Sequence, residues 1–109
     1  MAYFWEEIRN YTARISTTHP RKGNFVLITD SYNYYIEFHK EGATLPACSS
    51  PIIGGRQHIY VHVYFDMFSS MIDMLRNEKP VYAMYRDDVK VGMITTSKEP
   101  IGEGEITAP

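Results

Sequence analysis

A chain of 109 residues with 44% hydrophobic and 22% charged side chains sits near globular averages, which argues against disorder or a fibre and fits one domain over 1–109. The net charge is −2, and its 11 basic residues are scattered along the chain, so the basic footprint of nucleic-acid or membrane-surface binding is missing and neither is expected as a partner. Apolar runs such as Phe25–Ile28 fall far below the ~20 residues that span a bilayer, the start MAYFWEEIRN is acidic where a signal peptide is basic, and Cys48 is the only cysteine; the expected compartment is the cytoplasm.

In chain order, Phe4, Ile8, Tyr11 and Ile15 fall at spacings of four, three and four, which predicts an amphipathic helix over Ala2–Ser16. NFVLITD and SYNYYIEFHK follow as two strands around an Asp30–Ser31 turn. In the second, Tyr32, Tyr34, Ile36 and Phe38 share one face, and Asn33, Tyr35, Glu37 and His39 the other. Glu41–Arg56 holds two prolines and three glycines and reads as a long loop, broken by a short strand at Pro51–Ile53. Gln57–Phe65 is the third long strand, and Asp66 is placed to cap a helix over Met67–Asn77. Two strands around Arg86–Val89 then form a hairpin, and residues 98–109 read as a flexible tail. The order is not the strict alternation that makes a parallel sheet. The expected fold is α+β: about five mostly antiparallel strands with two helices packed on one face.

The candidate site is QHIYVHVYF. Its alternation sends Ile59, Val61, Val63 and Phe65 to one face, and His58, Tyr60, His62 and Tyr64 to the other. At roughly 3.3 Å per residue His58 and His62 are rooted about 13 Å apart, too far for one zinc ion binding imidazoles at roughly 2 Å. A shared metal is excluded, and no cofactor is expected. Each histidine is left to act alone or with Glu37 or His39 across the strands, and ordinary solvated histidines are the plainer account. With Tyr35 on the neighbouring strand and nine tyrosines in the chain, this face suits binding, since tyrosine joins a large apolar ring to a hydroxyl.

Cys48 on a loop is a candidate nucleophile, but no activating cation or helix start is visible beside it. The spacing to Arg56 is C-x7-R, where cysteine phosphatases use C-x5-R. Gly54-Gly55-Arg56 offers backbone amides and a guanidinium to an anion, although a glycine pair before a strand is more often turn geometry. Glu99, Glu103 and Glu105 fit no calcium loop. Met67, Met71, Met74, Met84 and Met93 suit core filling, or else an adaptable surface.

The pieces LRNEKPVY (Leu75–Tyr82) and TTSKEPIGEGE (Thr95–Glu105) resemble the C-terminal part of small uncharacterised bacterial proteins of the integron or mobile gene cassette type. The resemblance covers about a third of the chain and implies a small accessory protein with no assigned activity. The expected function is a non-catalytic, homodimeric binding module that holds a protein partner or small ligand with His58, Tyr60, His62, Tyr64, Tyr35, Arg56 and Cys48. The alternatives are an antitoxin or immunity-type inhibitor and a small enzyme using Cys48 or the histidines.

Overall fold

The computed structural model describes residues 3–16 and 21–96. Among these residues eight strands form two sheets: β1 (Tyr3–Glu7), β2 (Asn10–Ile15), β3 (Arg21–Ile28), β4 (Tyr32–His39), β5 (Ile52–Ile53), β6 (Arg56–Tyr64), β7 (Val81–Arg86) and β8 (Val91–Thr96). A 3-10 turn at Phe65–Met67 leads into the helix α1 (Phe68–Asn77). The larger sheet has the order β2-β3-β4-β6-β5 and the smaller β1-β7-β8. The α+β class stands, but among the described residues there is one α-helix rather than two, and a second sheet takes its place in the layer opposite the large one.

The helix expected over Ala2–Ser16 is instead β1 and β2, and the reason lies in the same four residues. Within each strand a spacing of four is two periods of two. Phe4 and Ile8 keep one phase, and Tyr11 and Ile15 keep the other. The step of three marks a corner at Ile8–Arg9, where the chain passes between sheets: the Ile8 amide donates to the Val81 carbonyl and the Arg9 amide to that of Ile28. A change of strand phase thus counterfeits a 3.6-residue period. Tyr, Phe, Trp, Thr and Ile in this segment favour strands, which the spacing alone does not register.

Three of the four strand pairings in the large sheet are antiparallel, but β4 and β6 run parallel. A parallel connection must carry the chain back along the strand before pairing resumes, which takes about a dozen residues or more. That is why the segment 41–55 is long. On its way back it runs beside β6, where Ser49 exchanges two backbone hydrogen bonds with Tyr60 and Pro51 accepts one from His58. β5 then turns into β6 at Gly54–Gly55, where both residues have positive φ, the backbone of a two-residue hairpin that glycine enters without a Cβ clash.

The core lies between the sheets. Phe25, Leu27, Tyr32, Tyr34, Ile36, Phe38 and Ile59 are at most 1% exposed and face Ala83 and Tyr85 of the small sheet, both at 0%. The Tyr32 hydroxyl donates to the Ala83 carbonyl and that of Tyr34 to the Met84 carbonyl, at 2.9 Å for the latter. Such bonds let tyrosines fill an interior without stranding a polar atom. α1 covers the other end of the same sheet face: Phe68 packs on Phe25 and Phe38 with ring centroids 4.9 and 5.1 Å apart. Asp66 is not the cap expected of it, because it lies inside the 3-10 turn, and Met67 begins α1 without a side-chain hydrogen bond. No helix among the described residues is long and apolar enough to cross a membrane. The expected tail at 98–109 lies outside the described residues.

Candidate functional site

The side of the large sheet that faces away from both α1 and the small sheet carries the His/Tyr set. The parallel register places Asn33 beside His58, Tyr35 beside Tyr60, Glu37 beside His62 and His39 beside Tyr64. Strand alternation brings all eight to one face, so His58, Tyr60, His62, Tyr64 and Tyr35 do come together. Neither β4 nor β6 alone shows which residue of one meets which of the other. That needs the parallel pairing.

At one end the rings of Tyr35 and Tyr60 stack with centroids 4.6 Å apart and planes 9° apart, and the His58 ring lies 5.7 Å from that of Tyr35 at 14°. A chain of hydrogen bonds runs beneath them. Arg56 Nε donates to Asn33 Oδ1 at 2.9 Å, Asn33 Nδ2 donates to the Tyr35 hydroxyl at 3.2 Å, and that hydroxyl lies 3.0 Å from His58 Nδ1. The Tyr35 hydroxyl thus accepts from Asn33 and is within hydrogen-bond reach of Nδ1, where the imidazole tautomer decides which of the two donates. Burial and then the nearby Tyr35 and Glu37 raise the pKa of Tyr60 above its ordinary value, so it stays a neutral hydroxyl.

At the other end His39 Nε2 and His62 Nδ1 are 2.9 Å apart, with ring centroids 5.1 Å apart. One imidazole donates to the other. Between the two ends Glu37 is only 4% exposed and accepts from Asn24 Nδ2 at 3.5 Å. The Tyr64 hydroxyl donates to the Ala43 carbonyl at 2.8 Å and ties the start of the long connection to the same face.

Two further sequence candidates, Arg56 and Cys48, are placed differently. Arg56 spends its guanidinium on the chain itself: beyond Asn33, its terminal nitrogens donate to the Thr29 and Asp30 carbonyls at 2.9 and 3.3 Å. It latches the β3–β4 turn to β6, and Gly54–Gly55 is the hairpin described above, so the two are not assembled around an anion. Cys48 is half-buried and packs against the core cluster. Ser49 is directly opposite Tyr60 and shares its face, so Cys48, one residue earlier, turns to the opposite side of the sheet from His58 and His62. A thiol–imidazole pair needs hydrogen-bond reach, and this placement denies it.

Among the described residues no three His, Cys, Asp or Glu side chains are gathered to hold a metal ion. Glu99, Glu103 and Glu105 lie outside the described residues. Four of the methionines, Met67, Met71, Met74 and Met93, line an apolar groove of about 320 Å³ between α1 and β8, a grouping that needed the fold to be seen. A second hollow of about 340 Å³ lies at the Ile8–Arg9 corner, between Glu7, Arg9, Glu78 and Lys79. Comparison with known proteins gives no relative: no family model, no curated protein and no solved structure matches the chain.

Proposed function

We propose that the protein is a non-catalytic binding module, acting as a homodimer, whose outer β4–β6 face holds a protein partner or a small ligand. The observation that carries this is the chain Arg56–Asn33–Tyr35–His58 beneath the stacked Tyr35 and Tyr60 rings. Rings and donors held in place before binding lose little rotamer entropy when a partner arrives, which is how tyrosine-rich recognition surfaces gain affinity. The imidazole of His58 and the hydroxyl of Tyr60 supply directional polar groups, while the His39–His62 pair makes the neighbouring patch polar. Kinship with mobile-cassette proteins belongs to this reading, and an inhibitor role of the antitoxin or immunity type is its alternative, which also needs a binding face and no turnover.

The test is a thermal-shift screen of small molecules and co-purifying proteins, followed by amide NMR mapping of any binder. Expected perturbations centre on Asn33, Tyr35, His58, Tyr60 and His62, and Tyr60→Ala with His58→Ala removes binding while the apo melting curve is kept. Perturbations confined to α1 and β8, or binding untouched by the double substitution, would sink the reading.

A further inference from the structure

The opposite surface of the molecule is of another kind. Register within the small sheet places its outward side chains in three rows, Tyr3–Arg86–Val91, Trp5–Met84–Met93 and Glu7–Tyr82–Thr95. Six of these nine are aromatic or aliphatic. Tyr3 is 53% exposed, Trp5 49%, and Val91 and Met93 45% each. The Tyr3, Trp5 and Tyr82 rings form a ladder with centroids 6.2 and 6.0 Å apart.

We infer that this face of β1, β7 and β8 is the dimer interface, and that its occupant is the same face of a second copy of this chain. Aromatic side chains carry about 150–250 Å² each, so the exposed halves of Tyr3 and Trp5, with Val91, Met93 and Tyr82, supply on the order of 400 Å² of apolar surface. A standard interface takes about 800 Å² from each partner, a little over half of it non-polar. The apolar centre therefore has the size of one such half, and Glu7, Arg86 and Thr95 provide a polar rim. The arrangement is also self-complementary in charge. With a two-fold axis lying across the strands between two stacked faces, Trp5 and Met93 meet their own copies, and the Arg86 corner of each chain lies over the Glu7–Tyr82 corner of the other. Within one chain Arg86 pairs with Asp88 and Glu7 with Arg9, at 2.8 and 3.2 Å. These are solvent-exposed pairs of small worth and exchange readily for interchain ones. One Arg and one Glu among nine residues do not suit a basic or acidic partner. This placement rests on the homodimer reading above and is independent of the ligand face, which lies on the other sheet.

Sedimentation equilibrium of the full chain over about 1–200 μM, a range that brackets micromolar dissociation constants, tests it. The expected species has twice the 12.6 kDa chain mass, and Trp5→Lys or Met93→Lys weakens it by about tenfold or more, as loss of a central anchor does. Circular dichroism checks that each variant is folded. Arg86→Glu alone is expected to weaken the dimer, and Arg86→Glu with Glu7→Arg to recover it. A wild-type monomer across the range overturns both the dimer and this interface. A dimer indifferent to Trp5→Lys and Met93→Lys overturns the interface alone, and Tyr60→Ala with His58→Ala, which tests the ligand face, is expected to leave the dimer intact.

Discussion

At the scale of single residues, the polar atoms inside the core are not equally well served. The hydroxyls of Tyr32 and Tyr34 reach carbonyls of β7, whereas that of Tyr85 is buried with no hydrogen-bond partner. Burial, ahead of the charges near it, pushes the Tyr85 hydroxyl up from its ordinary pKa. A stranded buried hydroxyl costs about 1–3 kcal/mol. Tyr85→Phe removes it at little change of shape and is expected to raise stability by about 1 kcal/mol in chemical denaturation. Glu6 offers a pH test. Burial opposes its ionisation, but the Ser31 hydroxyl and amide donate to its carboxylate at 2.6 and 3.0 Å and outweigh that, so its pKa is held below 4.5. A depressed carboxylate stabilises fully above its unfolded value and loses that contribution as pH falls through the folded one. Wild type is therefore expected to be more stable than Glu6→Gln near pH 7, with the gap closing below about pH 4.5 as the urea midpoint is followed downwards.

At the scale of elements, β8 passes close against the large sheet at Gly92. A Cβ built on Gly92 would stand 2.3 Å from the Tyr34 hydroxyl and 2.7 Å from Val61 Cγ2. Both of those side chains lie in the closed core, so Gly92→Ala is expected to cost about 1–3 kcal/mol, the range of overpacking, and to lower the thermal midpoint. Sequence periodicity made β4, β6, α1 and β3 from Gly23 onward legible because each keeps one phase there and turns one face to the core. It failed at Phe4–Ile15, where two strands of opposite phase meet at a corner, and it has no term for strand direction. The face of His58, Tyr60, His62 and Tyr64 could be read from alternation alone. Its joining to Asn33, Tyr35, Glu37 and His39 could not, because the parallel register comes from the crossover and from the layer packed beneath. The Trp5–Met93 surface was hidden for a similar reason. With Ala2–Ser16 taken as a helix, Tyr3 and Trp5 have no neighbours on β7.

At the scale of the whole molecule, the two sheets share one core and present two outer faces of opposite character. The polar one is cross-linked by hydrogen bonds between side chains, and the apolar one is centred on its ring ladder. The latches that join distant parts of the chain, Arg56 to the β3–β4 turn and Glu6 to Ser31, sit at the margins, where they fix register without adding to the core. β1 is the strand on which this organisation turns, since it runs into β2 of the large sheet while pairing with β7 in the small one. Its partner is separated from it by almost the whole described sequence, and pairings so distant in sequence are slow because the intervening chain must be ordered first. During synthesis β1 emerges before the β7–β8 hairpin and waits for it. Trp5, the only tryptophan, lies on that strand and against Tyr82 of β7, so its fluorescence is a built-in clock for ring closure. In stopped-flow refolding it is expected to change after the far-ultraviolet dichroism of the β2–β3–β4 strands, and coincident traces would show instead that both sheets close in one event.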